Sequence, residues 1–517
     1  MVITPITPIT AVKVLRSVPL DSTYTDTFGK GFFPNVSAQV AYFTSKAKYT
    51  YTDLSPVRLQ NVLRLPVVAD DIFDCNYIMF QNANFGQKWF YAFIDEINYV
   101  NPSCCEVSFT LDVMQTWLFD YTIHPSFVER EHIQNDGIGM NIVAENLELG
   151  DYVYNGSNAP GFQIDTIPAF NDGKRIVVAC SVNADNTPAV GAMYSGVYSG
   201  IKFNVFSTAE DVNNFLSSLT ADNKSNAVVS IFMFYESFIS QTPFPVTKTY
   251  TFNKVTDNID GYVPKNNKLF TYPYNFLRLS TGGTSASYRY EYFSDNVCNF
   301  SATGVTTCNP SITVSPIGYK RLDGPFGGAQ GASNYPESIT TTNFPQCAYT
   351  IDAFRAWVAQ QGGSAAVASN VVAGVTGSIA SIASGNPLGV ISGAANIAGQ
   401  LAQVKATAEL PPQAHGSSNN NALFALGAGN IVVMPLSINV EYAEIIDNYF
   451  SMYGYATHKV KVPNVTGRPS WNYVKTVGVK LTGSIPFDDM NKIKSVYDNG
   501  VTFWHGDWIG DYNRANK

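Results

Sequence analysis

The sequence predicts a mainly β chain, a multi-lobed α+β protein, and three observations carry that expectation. The composition favours strands and turns: among 517 residues stand 30 Tyr, 33 Phe and 6 Trp, while charged residues make up only 14%. The segment from Glu106 to Val113 alternates polar and apolar residues with a period of two. Helical spacing is confined to two short stretches near the C-terminus and to one uncharged region.

Taken in order, Trp89 to Ile97 reads as a strand. Asn101-Pro102-Ser103 is a turn, and Val107, Phe109, Leu111 and Val113 form the apolar face of a second strand, so the two make a hairpin. From about residue 150 to 346 the chain is rich in Asn, Ser, Thr, Gly and Tyr. Its short apolar runs, Ile176 to Val182 and Val228 to Phe234, read as strands of one or two β-rich lobes. Near the C-terminus Tyr442, Ile445, Ile446, Tyr449, Phe450 and Tyr453 recur at helical spacing, with Gly454 as the stop. Val477, Val479 and Leu481 alternate as a strand. Asp488 is the cap of a last helix carrying Met490, Ile493, Val496 and Tyr497, which ends at Gly500. These elements divide the chain into 1–135, 136–355, 356–439 and 440–517.

The third of these parts differs in kind. Ala356 to Val404 is 49 residues without a charged side chain, and Lys405 and Glu409 are the only Asp, Glu, Lys or Arg between Ala356 and Val440. Gly385-Asn386-Pro387 divides it at a turn. Before the turn Val367, Val371, Val375, Ile379 and Ile382 recur every three or four residues. After it Leu388, Ile391, Ala395, Ala398 and Leu401 do the same. Each half reads as a helix of about 17–19 residues, near the roughly 20 that cross a bilayer core. The pattern alone leaves three readings: a helical hairpin buried in a core, a Gly/Ala/Ser linker, or a membrane-active hairpin.

Composition and motifs argue against most enzyme classes. The sequence holds no P-loop, HExxH, GxSxG or dinucleotide fingerprint. His124, His132, His415, His458 and His505 never stand at i,i+4. Asp95 and Glu96 are adjacent carboxylates, which a strand points to opposite faces, a poor glycosidase pair. Trp504-His505-Gly506-Asp507-Trp508 is either a sugar platform or aromatic packing near the chain end, and packing is the commoner case. The seven cysteines lack a CxxC pair and read as reduced, mostly buried thiols. The opening MVITPITPIT is not a signal peptide. We therefore expect no catalytic residue, cofactor or metal. The net charge of −8, without any Lys/Arg run, argues against tight nucleic-acid binding. Phe127 to His132 is a charged strand, read either as a solvated strand end or as a contact between copies.

Several local runs together resemble the tail-knob proteins of the Picovirinae, the small short-tailed bacteriophages. They are Gln115-Thr116-Trp117, Phe127-Val128-Glu129-Arg130-Glu131-His132, Tyr272-Pro273-Tyr274-Asn275, and Phe344-Pro345-Gln346-Cys347 with Asp352, Phe354 and Trp357. Tyr453-Gly454-Tyr455, Arg468 with Trp471-Asn472-Tyr473-Val474-Lys475, and Gly500-Val501-Thr502-Phe503-Trp504 complete the set. The resemblance implies a homo-hexameric ring continuing the tail tube at its distal end in the virion. Its antiparallel wall sheets come from the N- and C-terminal lobes, and the middle lobes decorate them. It implies an upstream tail-tube or collar protein as partner, and viral DNA passing through the lumen without sequence recognition. It also implies that the uncharged region plugs the lumen, then enters host membrane lipids during infection. On that reading Val367, Val371, Val375, Ile379, Ile382, Leu388, Ile391 and Leu401 insert. A tail-borne adhesin, and less so a cell-wall hydrolase, are the alternative functions.

Overall fold

A computed structural model describes residues 11–52, 54, 61–82, 86–155, 165–166, 174–181, 193–194, 197–198, 201–222, 224, 227–240, 245–280, 284–307, 309–319, 338–342, 344, 346–348 and 431–517. The chain is strand-rich, with several antiparallel sheets, as its composition predicts. It divides into two compact units. The first takes 1–148, 264–269 and 441–517; the second takes 149–263 and 270–440.

Strands of the first unit are labelled β1 to β13. They are β1 (Val12–Arg16), β2 (Asp26–Phe28), β3 (Ala47–Tyr51), β4 (Val62–Leu65), β5 (Cys75–Asn82), β6 (Lys88–Asn101), β7 (Cys104–Leu111), β8 (Tyr121–Ile123) and β9 (Ser126–Glu131). The C-terminal segment adds β10 (Tyr455–Lys461), β11 (Trp471–Val477), β12 (Leu481–Gly483) and β13 (Val501–Trp504). Its helices are α1 (Val36–Ser45), α2 (Val113–Thr116), α3 (Val440–Tyr453) and α4 (Phe487–Asn499). One sheet has the order β3-β1-β5-β6-β7-β4, the other β2-β13-β11-β9-β10, and β12 pairs with β8.

The hairpin read from the sequence is β6–β7. Asn101 accepts a hydrogen bond through Oδ1 from the Ser103 N–H (2.8 Å), an Asx turn that fixes the reversal. Along β7, Cys105, Val107 and Phe109 are buried while Glu106, Ser108 and Thr110 are half-buried, as the alternation requires. Val113 departs from the expectation. The strand ends at Leu111 because Asp112 takes the N-cap of α2, its Oδ1 accepting from the Gln115 N–H at 3.0 Å. In β1, β5 and the part of β6 that ends at Phe93 both faces are buried. Val14, Ile78 and Ala92 face a core shared with Ile493, Val496 and Tyr497 of α4. Leu15, Tyr77 and Phe93 face a second core with Phe43 of α1, Phe28, Trp471 and Trp504. Each buried Val, Leu, Ile or Phe among them stabilises the fold by about 1.5–3 kcal/mol.

Both C-terminal helices form where the spacing puts them, with adjustments. In α3 Ala443, Ile446, Asp447 and Phe450 are buried, whereas Ile445 is 64% exposed. Gly454 ends α3 at φ 65°, and a Cβ there would lie 2.2 Å from the Glu131 carbonyl oxygen, so no other residue fits. Asp488 is not the cap of α4. Pro486 holds that position, and Asp488 lies in the first turn, where a carboxylate favours the helix dipole. Val477, Val479 and Leu481 do not share a strand: Gly478, at φ 63°, separates β11 from β12. The charged run at 127–132 is not a solvated end. It is β9, bonded on both sides by β10 and β11, with Glu131 and His132 buried.

The second unit contains the strands Lys174–Cys180 and Val228–Tyr235, paired antiparallel, where the apolar runs predict them. It also holds the helix Ala209–Ala221, which the β-rich reading of this stretch did not anticipate. Val212, Phe215, Leu216 and Leu219 of that helix pack on Ile176, Val178, Ile231 and Met233. Further sheets pair 275–280 with 432–438 and 297–305 with 311–317.

Candidate functional site

The five-stranded sheet joins the two ends of the first unit, because chain segments more than 300 residues apart build it together. β9 lies between β10 and β11, with Glu131 opposite Tyr455 and opposite Val474. β2 adds in parallel to β13, with Phe28 opposite Trp504. Behind it Trp471 and Trp504 meet at 5.3 Å between ring centroids. Their indole N–H groups donate to the Ser451 carbonyl (3.0 Å) and to Asp26 Oδ1 (2.6 Å). Trp504 is therefore core, as the packing reading of the Trp504–Trp508 cluster has it.

Residues of the quoted runs act as joints. Gln115 is fully buried. Its Nε2 donates to Thr27 Oγ1 (2.9 Å) and to the Phe28 carbonyl (3.0 Å), while Gln39 Nε2 donates to the Gln115 carbonyl (2.9 Å). Trp117 Nε1 donates to Asp489 Oδ2 on α4 (3.0 Å). Burial pushes the Asp112 carboxyl up to about 6, and the Tyr77 hydroxyl donates to it at 2.7 Å. His132 is neutral by geometry. Its Nδ1 accepts from the Tyr473 N–H (2.8 Å), so Nε2 carries the proton that bonds the Ser451 carbonyl (3.0 Å). Burial lowers its pKa to about 3.

A buried ionic cluster stands beside this sheet. Glu145 accepts from Arg130 of β9 and from Lys268, and its side chain is only 3% exposed. Lys268 Nζ also donates to the Val143 carbonyl (2.9 Å) and lies over the rings of Phe450 and Tyr455. Burial pushes the ammonium down to about 7, the neighbouring Arg130 charge acts in the same direction, and the Asp136 carboxylate opposes them. Next to Lys268, Asn266 is held by Asp447 of α3: Asp447 Oδ1 accepts from the Asn266 N–H (2.9 Å) and from its Nδ2 (2.8 Å). Asp136 accepts from the Asn267 N–H (3.0 Å) and the Tyr455 hydroxyl (2.7 Å). The short strap 264–269 is thereby fastened to the first unit.

Sequence reasoning missed this cluster. Asp447 gave a signal, since it interrupts the apolar face of α3 with a carboxylate at a core position. Glu129, Arg130 and Glu131 were seen, and their charges are answered within the chain, by Lys475, Glu145 and Lys461. Asp95 and Glu96 are both exposed, and Asp95 accepts from Thr110 Oγ1 (2.7 Å). Among the described residues no group of three or more His, Cys, Asp or Glu is placed to hold a metal, and no helix is long and apolar enough to cross a membrane. Val367, Val371, Val375, Ile379, Ile382, Leu388, Ile391 and Leu401, with the turn Gly385-Asn386-Pro387, lie outside the described residues.

Comparison with known proteins agrees with this architecture. Residues 8–122 match the family of the caudoviral major tail protein N-terminus. The tail knob protein gp9 of Bacillus phage B103 is 26% identical over 98% of each chain, and that of Bacillus phage phi29 is 24% identical over the same shares. The solved structure of the bacteriophage C1 tail knob protein, gp12, superposes with a TM-score of 0.59 at 13% identity, covering 97% of this chain and 98% of that one. Residues 241–517, more than half of the chain, match the C-terminal domain of the Bacillus phage phi29 tail knob protein gp9. The chain thus belongs to the phi29-type tail knob family, structural components of the phage tail.

Proposed function

We propose that six copies of this chain form the distal tube of a short phage tail, through which the genome leaves, and that residues 356–439 plug the lumen and then enter the host membrane. Residues 1–135 and 440–517 are the wall lobes, 136–355 the middle lobes. The observation that carries the reading is the composite sheet, in which N-terminal β2 and β9 interleave with C-terminal β10, β11 and β13. A sheet closed by both chain ends leaves the rest of the chain as an insertion, free to serve another purpose. The tube docks on an upstream tail-tube or collar protein, and DNA passes without sequence recognition. A net charge of −8 with no basic run suits a passage to which DNA must not adhere. No catalytic group takes part.

The uncharged region suits transfer from lumen to bilayer. Its apolar stripe, Val367 to Ile382 and Leu388 to Leu401, faces lipid, and small-residue pairs such as Ala373/Gly377 and Gly389/Gly393 allow close helix contact. Dye release from phosphatidylglycerol-containing liposomes tests this. The full chain releases the dye. Deletion of 362–430 abolishes release while assembly persists. Val375→Asp with Ile379→Asp does the same, since each charge at the bilayer centre costs about 2.5–3.5 kcal/mol. A deletion variant that leaks liposomes as well as the parent overturns the membrane role, and one that cannot fold assigns the region to a core instead.

A further inference from the structure

Among the open strand edges of the first unit, two that have no bonded strand beside them among the described residues are chemically complementary. One is the outer half of β6. β5 bonds β6 only between Lys88 and Phe93, while β7 follows its other side out to Asn101. The edge beyond reads Asp95-Glu96-Ile97-Asn98-Tyr99-Val100, with both carboxylates exposed and Tyr99 and Val100 at 63% and 44% exposure. The other is β10, which ends the five-stranded sheet and is bonded by β9 alone. With the residue that follows it, this edge reads His458-Lys459-Val460-Lys461-Val462.

The cross-strand register makes the second edge an apolar surface as well. Val460 and Val477 stand on either side of Phe127, and all three are exposed, at 71%, 56% and 40%. His458 stacks on Phe127 at 6.1 Å between ring centroids, and Val462 beside them is 52% exposed. Lys461 is engaged by Glu131. Lys459 is exposed and makes no ion pair among the described residues, and the same holds for Glu96. An open edge next to exposed valines and a phenylalanine invites another strand, and a single lysine is a weak guard against it. One edge is acidic and the other basic, so an identical copy supplies each with its complement. The two surfaces differ, so the contact is heterologous. Every copy uses one edge on each side, which propagates around a ring and leaves neither edge bare.

We propose that β10 of one copy docks against the outer edge of β6 of a second copy of this chain. Lys459 meets Glu96, and on the opposite face of the strand Tyr99 covers the Val460–Phe127–Val477 row. This rests on the reading of the chain as a ring-forming tube subunit and names the surface by which it assembles.

Charge exchange tests it. Full-length chains carrying Lys459→Glu, Glu96→Lys or both are compared with the parent by sedimentation velocity, with circular dichroism confirming the fold of each. Each single variant puts like charges together and weakens assembly at least about tenfold. The double variant restores the opposite pairing and recovers most of that loss. Single variants that assemble as tightly as an assembling parent overturn the interface and leave the tube reading intact. A double variant no better than the singles overturns the pairing of these two edges. A parent that stays monomeric at every concentration overturns the tube reading, and the interface with it.

Discussion

Replacing Glu145 with Ala lowers the unfolding free energy by about 3–5 kcal/mol, because it removes the carboxylate that two buried cations share. Arg130 and Lys268 are 12% and 2% exposed at their side chains, and this carboxylate accepts from both. The substitution also frees the Ala456 N–H at the start of β10, which donates to Glu145 Oε1 at 3.1 Å. A control separates charge from packing. Glu145→Leu combined with Lys268→Met removes both members of the pair and recovers part of the loss, since apolar replacements of similar volume remove the desolvation cost. Urea denaturation of each variant reads the effect. A loss below about 1 kcal/mol for Glu145→Ala is what an exposed pair gives and refutes the assignment of this cluster as the fastening of strap 264–269.

Replacing Trp504 with Ala costs a similar amount, about 3–5 kcal/mol. Trp504 is fully buried between Trp471 and Tyr512, with ring centroids 5.3 and 5.1 Å away. Its loss opens a cavity between β13 and β2 and deprives Asp26 of the indole donor. Burial already raises the Asp26 carboxyl above the usual range, and the Trp504 bond opposes that rise. Trp504→Phe keeps most of the volume and loses the bond, so its smaller cost isolates the hydrogen bond. Trp508 is an internal comparison. It lies on the edge of the same cluster under the Arg514 guanidinium, 4.3 Å from the ring centre, and its truncation costs less. Equal losses at the two positions contradict the placement of Trp504 in the core.

What the sequence made legible is what local patterns encode. The β6–β7 hairpin was readable because alternation and an Asx turn act within 24 residues. Helices α3 and α4 were readable because an apolar stripe ends at a glycine that the backbone requires, Gly454 at φ 65° and Gly500 at φ 97°. Helix α1 gave little signal: only Gln39 and Phe43 are buried, and Val, Tyr, Phe and Thr fill it, residues equally suited to a strand. The helix Ala209–Ala221 did announce itself. Thr208 accepts through Oγ1 from the Asp211 N–H at 3.1 Å, a Thr-x-x-Asp cap, which the β-rich surroundings obscured. The composite sheet was not readable from spacing, since the pairing of Glu131 with Tyr455 spans more than 300 residues and leaves no periodic trace. The resemblance implied only that the N- and C-terminal lobes build one wall together, through runs such as Gln115-Thr116-Trp117, whose side chains bond both ends of the chain. Lys268 and Glu145 were invisible for a related reason: a lone charge looks solvated until its distant partner is known.

The most direct measurement is negative-stain electron microscopy of the purified full-length chain. If the chain is a tube subunit, class averages show a closed six-fold ring with a central opening, and the ring persists when 362–430 is deleted. A solid monomeric particle or a trimeric spike contradicts the account.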